Sequence, residues 1–294
     1  MAENVRPLAA PASTGKEPEM RSNLRYPAVL GVLLAFGVLG ATMAAASRSG
    51  VTPPPAIKSA GQIVYCSDIS YPPEESFAAG NKPIGSDIDI GTGIAKLMGV
   101  KATFKNTTFD SIIPALTTKK SDAIISGMND TASRRKQVDF VDYLKVGQSL
   151  MVKKGNPEHI SALASLAGKR VSVESGTTNR DFLAAASKTL VKGGKKAITI
   201  VTFPKDTDAA SALKAGRVDA YFGDSPVAVY YANRDHSFQV AGSPISPIPI
   251  GIAIRKGDPL KAAVQQALAQ LYANGTMKKI VSKWGMTGAV SLLK

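Results

Sequence analysis

Short apolar runs alternate along most of this chain with longer segments whose apolar residues recur at helical spacing. The apolar runs predict strands at 62–67, 101–106, 122–126, 169–173, 197–203, 218–222 and 250–255. The periodic segments predict helices that end at Gly99 or span 111–119, 179–190, 206–214, 225–233, 259–272 and 277–284. This alternation predicts an α/β fold whose parallel sheets are covered by helices on both faces. In such sheets ligands bind beyond the carboxyl ends of the strands, so the candidate site residues are sought there.

The N-terminal region carries an apolar stretch at 27–46, which follows Arg21 and Arg25 and ends with three alanines. A basic start, an apolar centre and a small-residue exit are typical of a secretory signal peptide, so residues 1–50 are predicted to direct export to the periplasm. The stretch is also nearly long enough to span a bilayer, which leaves an uncleaved membrane anchor as the alternative. Residues 51–60 begin with a proline cluster and predict a stiff, extended linker.

Charge and cysteine content exclude several classes of function. The net charge is +14, but the lysines and arginines are scattered and no aromatic residues are interleaved with them. This pattern is typical of a solvated basic surface and predicts no nucleic-acid partner. Cys66 is the only cysteine and is predicted to be a small buried residue, so neither an intrachain disulfide nor a cysteine zinc site is available. With no glycine-rich phosphate loop either, we expect no metal and no cofactor.

Polar residues cluster where the predicted strands end. The segments are Ser67-Asp68-Ile69-Ser70-Tyr71-Pro72-Pro73-Glu74-Glu75, Thr108-Phe109-Asp110-Ser111, Ser126-Gly127-Met128-Asn129-Asp130-Thr131-Ala132-Ser133-Arg134-Arg135, Glu174-Ser175-Gly176-Thr177-Thr178 and Asp219-Ala220-Tyr221-Phe222-Gly223-Asp224. Because they follow strands in both halves of the chain, we expect them to face a shared ligand site.

From about residue 60 to the C-terminus, the order of motifs resembles one family. The chain carries Tyr-Pro-Pro, Gly-x-Asp-Ile-Asp-Ile, Phe-Asp-x-Ile-Ile-Pro-Ala-Leu, Asp-Ala-Ile-Ile-Ser-Gly-Met, Val-Asp-Phe, Gly-Thr-Thr, Ala-Gly-Arg-Val-Asp-Ala and Gly-Ile-Ala-Ile-Arg-Lys-Gly-Asp, in that order. This series is similar to the polar amino-acid-binding family of ABC importer receptors, the extracellular solute-binding proteins of family 3.

The resemblance implies the two-lobed fold of a type II periplasmic binding protein, in which each lobe is a mostly parallel sheet flanked by helices. The first lobe is expected to comprise residues 61–146 plus 245–294, and the second residues 147–244. Two crossings of the chain, near 146–150 and 241–244, would form the hinge.

The function implied is an exported, monomeric receptor that captures an amino acid or a similar solute between its lobes. It would then deliver the solute to an ABC permease in the inner membrane, without acting as an enzyme. Two alternatives stay open. One is an enzyme that resembles cyclohexadienyl dehydratases and uses Asp68 or Glu74 as a general acid. The other is a membrane-anchored sensory domain with the same cleft.

The family pattern assigns the two charged ends of an amino acid to Arg134 and Asp224. The planar fork of an arginine matches the two oxygens of a carboxylate, and Arg134 is predicted near the start of a helix, where free amides also favour an anion. Asp224 would receive the α-ammonium from the other lobe. From the residues alone, a surface arginine in an Arg-Arg-Lys run is the first interpretation of Arg134, and Asp224 can be the N-cap of the next helix.

Further contacts to the ligand head group are implied for Ser126, Gly127, Asn129, Thr177 and Thr178. Asn129 stands where the family has threonine or serine. Ordinary loop and capping chemistry is the alternative for the serine and the two threonines.

The remaining implied contacts concern the ligand side chain. Tyr71 and Phe109 would form its walls, although either could be an ordinary core residue. Asp68 stands where cation-binding relatives carry an acidic group, and Glu74 stands where phenylalanine is common. These carboxylates favour a cationic or amide-bearing ligand, while the residues alone equally allow Glu74 and Glu75 to be solvated turn residues.

Overall fold

The computed structural model describes residues 50–293, and the predicted signal peptide or anchor therefore lies outside the described residues. The strands are β1 (Gln62–Ser67), β2 (Ser76–Ala78), β3 (Lys82–Ile84), β4 (Lys101–Asn106), β5 (Ala123–Ile124), β6 (Val138–Lys153), β7 (Arg170–Glu174), β8 (Thr199–Phe203), β9 (Ala220–Asp224), β10 (Phe238–Arg255) and β11 (Val290–Leu292). The α-helices are α1 (Pro55–Ala60), α2 (Ser86–Leu97), α3 (Ile112–Thr117), α4 (Ala132–Arg135), α5 (Thr178–Lys192), α6 (Asp206–Lys214), α7 (Ser225–Arg234), α8 (Leu260–Ala273) and α9 (Thr276–Lys283).

The main sheet has the strand order β4-β1-β5-β10-β6-β9-β7-β8, with β11 paired to β6. Strand β1 pairs in parallel with β4 and β5, and β7 pairs in parallel with β8 and β9. The elements around β1, β4 and β5 form the first lobe, and those around β7, β8 and β9 form the second. The α/β, two-lobed fold class is thereby confirmed.

Each lobe buries both faces of its own parallel strands. In β1, Ile63 and Tyr65 join one hydrophobic cluster with Ile94 of α2, while Cys66 joins another with Leu116 of α3. Successive residues of a strand point to opposite faces, so an apolar run such as β1 supplies both cores. The same principle gives the second lobe two clusters, one under α5 and the other under α6 and α7.

Helix α2 shows how the local sequence fixes an element that positions the site. Asp87 and Asp89 lie in its first turn, where the positive end of the helix dipole favours acidic residues. Ile90 and Ile94 are fully buried on its inner face. Gly99 has a φ of 68°, a conformation that suits glycine, and lies just beyond the helix end as the sequence predicts.

The long strands β6 and β10 connect the two lobes. They pair with each other in antiparallel orientation, and register shifts interrupt the pairing between Ala241 and Ile245 and again before Ile248. Both predicted crossings, near 146–150 and 241–244, lie within these strands. The residue boundaries of the lobes stay a prediction, because the described residues form one compact unit.

The prediction of an extended linker at residues 51–60 is wrong. Residues Pro55–Ala60 form α1, which begins with proline because the first turn of a helix needs no amide from that position. Val51 and Ile57 are buried in the core of the first lobe, and the Val51 amide donates to the Leu97 carbonyl at 2.8 Å. Across residues 50–293, no helix combines the length and the apolarity that a membrane crossing requires.

Candidate ligand-binding site

The predicted site residues stand at or just beyond the carboxyl ends of parallel strands. In the first lobe, Asp68 follows β1 and Ser126 lies shortly beyond β5; in the second, Thr177 follows β7 and Asp224 is the last residue of β9. All ten predicted residues are buried except Phe109, which is half-buried. These residues therefore lie at the edge of the sheet where ligands bind in α/β folds, and their role in binding stays a prediction.

Hydrogen bonds between the lobes bring these strand ends together. The Asp224 amide donates to the Tyr71 hydroxyl at 3.2 Å, and the Asp206 amide donates to the Ser70 hydroxyl at 3.3 Å. Each bond joins a loop of the first lobe to an element of the second lobe. The two lobes thus meet in a closed arrangement, with the site residues at their interface.

Arg134 lies at this interface and not on the surface. Its Nη1 donates to the Asn129 carbonyl at 2.9 Å, and its Nη2 reaches the second lobe and donates to the Gly176 carbonyl at 3.1 Å. The guanidinium also lies 5.2 Å from the centre of the Phe109 ring. Burial lowers the pKa of Arg134, and the opposite charge of Asp224 counteracts that effect. Helix α4, which carries Arg134, is a single turn, so a large dipole contribution is not expected there.

Asp224 precedes α7, but its side chain makes no capping hydrogen bond to that helix. Instead, its Oδ1 accepts a hydrogen bond from the Asn179 amide at 3.1 Å. Burial raises the pKa of Asp224 to about 7, while the positive charge of Arg134 acts in the opposite direction. The carboxyl group is therefore not used as an N-cap, and it is electrostatically coupled to the arginine of the other lobe.

The predicted head-group donors are committed to protein contacts in this conformation. The Ser126 hydroxyl donates to the Glu75 carboxylate at 2.6 Å and accepts from the Asp68 amide at 2.9 Å. The Gly127 amide donates to Asp87 Oδ2 at 2.8 Å. A hydroxyl and an amide each have one proton, so neither Ser126 nor Gly127 can donate to a ligand here.

The two threonines have different roles. Thr177 caps α5, since its Oγ1 accepts from the Arg180 amide at 3.2 Å, and it also donates to the Glu174 carbonyl. Thr178 Oγ1 donates across the interface to Asn129 Oδ1. Capping chemistry, the alternative for these residues, is therefore observed for Thr177, while Thr178 and Asn129 connect the lobes.

The predicted side-chain end of the site is acidic. Asp68 accepts hydrogen bonds from the Ser70 hydroxyl at 2.6 Å and from the Phe109 amide at 2.8 Å. Glu74 and Glu75 are 1% and 0% exposed, so the alternative that they are solvated turn residues is wrong. Burial, together with the charge of Asp87, raises the pKa values of both glutamates well above their ordinary range.

A family model describes this arrangement. The model of the bacterial extracellular solute-binding proteins, family 3, matches residues 63–287. The chain belongs to that family. As a member, it is a solute-binding receptor, and the order of motifs along the sequence correctly predicted this.

The named relatives of this family 3 protein support its assignment to the family. It is 31% identical over 262 residues to ABC transporter arginine-binding protein 1 of Escherichia coli K12, covering 87% of this chain and 97% of that one. It is 32% identical over 230 residues to the histidine-binding periplasmic protein of Salmonella typhimurium, covering 74% and 85% respectively. Among solved structures, it resembles an ancestral amino acid-binding protein, a precursor of cyclohexadienyl dehydratase, with a TM-score of 0.71 and 38% identity over 78% of this chain and 97% of that chain.

The prediction assigned no role to three second-lobe residues of this family 3 receptor, although Glu174 lies in one of the predicted site segments. Asn179 binds Asp224, and Asp206 accepts from the Tyr221 and Tyr231 hydroxyls at 2.7 and 2.9 Å. Glu174 ends β7 and faces Asp68 across the interface. Glu174 and Asn179 flank the Gly-Thr-Thr motif, which was a usable signal, whereas Asp206 looks like an ordinary first-turn residue of a helix.

Within residues 50–293, no group of three or more His, Cys, Asp or Glu side chains is arranged to hold a metal ion. The two histidines, His159 and His236, are exposed, and Cys66 is buried in the first lobe. The candidate site is therefore a set of carboxyl groups around one buried guanidinium.

Proposed function

We propose that the protein binds a zwitterionic α-amino acid between its lobes, with Arg134 on the α-carboxylate and Asp224 on the α-ammonium. One observation carries this proposal: a buried guanidinium from the first lobe and a buried carboxyl from the second lie at one interface and influence each other's pKa. Opposite charges placed in this way match the two poles of an amino acid. The amino-acid-binding relatives support the same ligand class.

Arg134 retains donors for such a ligand. A guanidinium has five N–H groups, and within the described part of the chain the Arg134 side chain donates to only two carbonyls. The remaining donors suit a carboxylate, which forms charge-assisted bonds with arginine. Thr178 and Asn129 lie beside this position and would order it from both lobes.

Binding of this kind favours closure of the lobes. A zwitterion that leaves water needs a partner for each charge, because an unpaired buried charge is costly. Neither lobe alone supplies both partners, so the ligand has a higher affinity for the closed form and shifts the equilibrium towards it. Periplasmic binding proteins are an established example of such hinge closure.

The closed receptor would deliver its ligand to an ABC permease as a periplasmic monomer. The relatives named as an ABC transporter protein and a periplasmic protein support this setting. Sequencing the N-terminus of the exported protein would show whether residues 1–50 are removed. A start near residue 50 is expected, and an intact N-terminus retained in the membrane would support the anchored alternative.

We propose further that the cleft binds its ligand without chemical turnover. The carboxyl groups with raised pKa values could in principle act as acids, and one structural relative is a precursor of a dehydratase. However, the relatives named by function are binding proteins. Incubation with prephenate or arogenate should leave both compounds unchanged. Formation of the dehydrated product would contradict the proposal.

A thermal-shift screen of the L-amino acids tests the ligand class. The protein should be unfolded, dialysed and refolded first, so that no copurified ligand masks the result. A ligand at 100 times its Kd stabilises the folded state by about 2.7 kcal/mol, which corresponds to a rise in Tm of roughly 5–11 °C for a chain of this size. Failure of every amino acid to raise the Tm of the refolded protein would contradict the proposed function.

A further inference from the structure

The inference begins with Asp68, which the first lobe holds in a fixed orientation. The Ser70 hydroxyl donates to one of its oxygens and the Phe109 amide to the other. Phe109 also places its ring under the Arg134 guanidinium. Phe109 therefore contacts both the Asp68 carboxylate, through its amide, and the Arg134 guanidinium, through its ring.

Glu174 meets Asp68 from the second lobe. It is 3% exposed, and its Oε1 has no hydrogen-bond partner among the described residues. The Ser70 hydroxyl that donates to Asp68 also accepts from the Asp206 amide of the second lobe, so the end of β1 meets the end of the second-lobe sheet that carries Glu174. Asp68 and Glu174 lie close enough there to influence each other's pKa, and two adjacent buried carboxyl groups favour a state in which they share one proton. Burial raises both pKa values, and the charge of Asp206 raises that of Glu174 further.

The groups around this pair do not neutralise it. Asp206 adds a third carboxyl group, which is held by the Tyr221 and Tyr231 hydroxyls. The one lysine that attracts Asp68 is Lys205, and its side chain is at the exposed N-terminus of α6. Closure of the lobes thus brings together carboxyl groups that lack a buried cation of their own, which is unfavourable unless protons or a ligand compensate them.

We propose that Glu174 is a specificity-determining residue, which forms with Asp68 a two-carboxylate seat for a cationic group at the end of the ligand side chain. This inference rests on the proposed amino-acid receptor and names its substrate class: amino acids whose side chains end in an ammonium or guanidinium group. The relatives bind arginine in one case and histidine in another, so they do not decide this class.

The seat has a measurable signature, which is the displacement of a proton. In the ligand-free closed form the pair keeps one proton between its two carboxyl groups. A cation placed between them allows both to ionise, so the proton passes to the buffer. A neutral ligand leaves the proton in place.

Calorimetry of the refolded protein with L-arginine, L-lysine and L-glutamine, each in phosphate and in Tris at pH 7.5, tests the seat. The affinity for arginine or lysine should exceed that for glutamine by about 100-fold, the value expected when a buried charge gains or loses its partner. The dependence of the binding enthalpy on the buffer should show release of up to about one proton for the cationic ligand and none for glutamine.

The variant Glu174→Gln keeps the shape of the side chain and should fold, because burial raises the pKa of Glu174 and so favours its neutral form. It should lose about tenfold or more in affinity for the cationic ligand, keep its affinity for glutamine, and release no proton. The control Glu158→Gln removes the same charge from an exposed glutamate of the second lobe, which pairs with Lys169, and should change none of these values. Asp68→Asn provides an independent second variant with the same expected pattern.

The outcomes separate the two proposals. If no amino acid binds to the wild-type protein, the proposed function itself is wrong. If neutral amino acids bind as tightly as cationic ones, or if Glu174→Gln lowers all affinities equally, the receptor proposal stands and the cation seat is wrong. If calorimetry shows that calcium chloride binds while arginine and lysine do not, the proposed cation seat is also wrong.

Discussion

Replacement of Arg134 by alanine should abolish most amino-acid binding while the fold survives. Arg134 is 8% exposed, so the ligand carboxylate that its guanidinium pairs with would also be buried. The variant would leave that carboxylate without its counter-charge in the closed cleft. Removing one partner of a buried ion pair costs about 3–5 kcal/mol, which corresponds to a loss in affinity of about 150- to 5,000-fold.

The effect on stability should be much smaller. Arg134→Ala also removes the hydrogen bonds to the Asn129 and Gly176 carbonyls, each of which contributes about 0.5–1.5 kcal/mol. The second of these bonds joins the lobes, so part of its loss concerns closure and not folding. Circular dichroism should therefore show an unchanged spectrum and a modest decrease in Tm.

Arg135 provides a matched control for this variant. It is the next residue in α4, but its side chain is 62% exposed and pairs with Asp130. Arg135→Ala removes the same charge from the same turn and should leave the affinity within about threefold of wild type, because its ion-pair partners Asp130 and Asp142 both belong to the first lobe. Its Tm should fall, since the Asp130 side chain is 1% exposed and loses its counter-charge. Equal losses in the two variants would show that the effect comes from general charge and not from a ligand contact.

A ligand change completes the test. The tightest amino acid and its carboxamide should be compared by calorimetry in wild-type protein and in Arg134→Ala. If the guanidinium binds the carboxylate, the wild type discriminates strongly against the carboxamide, and the variant binds both to within about 0.5 kcal/mol. A folded variant with unchanged affinity, or one that retains the wild-type preference for the acid, would refute the assigned role.

Three further predictions concern other parts of the cleft. Asp224→Asn keeps the shape that binds Asn179 but should weaken amino-acid binding by about 100-fold, and a loss below threefold in calorimetry would contradict the ammonium site. Gly176 has a φ of 75°, and an added Cβ would lie 3.0 Å from the Asp110 Cα of the other lobe, so Gly176→Ala should hinder closure and reduce affinity by about tenfold. An unchanged affinity and an unchanged ligand-induced compaction in X-ray scattering would contradict that. The pKa values of Asp206 and Asp224 are raised to about 7 from ordinary values near 4, so protonation stabilises the ligand-free folded state, and this stabilisation is lost as the pH rises through 7. The free energy of unfolding of the ligand-free protein should therefore increase by about 1 kcal/mol for each group when the pH falls from 8 to 6. The Tm should rise accordingly, and a flat profile would contradict this.

The sequence predicts the architecture well because each lobe is built from apolar strands that are buried on both faces. The predicted strand at 62–67 coincides with β1, and the predicted helix stop at Gly99 lies just beyond α2. Both features depend on local patterns, namely an apolar run and a glycine with a positive φ. The order of motifs then identified the family, and the alternation of strands and helices predicted the edge of the sheet at which the candidate site residues lie.

Elements that depend on long-range contacts were not predicted. Strand β6 was missed, although it runs through both lobes and pairs with β10 over most of its length. Its sequence mixes charged and apolar residues, and its pairing partner lies far along the chain, so periodicity alone gave no strand signal. Helix α1 was predicted to be a linker because a proline cluster is typical of extended chain. Nothing in the local pattern indicated that Ile57 packs into the core.

The site shows the same division between local and long-range information. Arg134 and Asp224 were predicted because the family pattern assigns a charged residue to each of these positions. Glu174 lay in a predicted site segment but received no role, since its significance arises only when closure brings it close to Asp68, a residue far away in the sequence. Likewise, sequence could not show that Ser126 and Gly127 are committed to Glu75 and Asp87.

A crystal structure with the bound amino acid that the thermal-shift screen identifies tests the central claim most directly. The account predicts the α-carboxylate on the Arg134 guanidinium and the α-ammonium within about 3 Å of the Asp224 carboxylate. A ligand bound elsewhere, or one whose ammonium and carboxylate contact other residues, would contradict it.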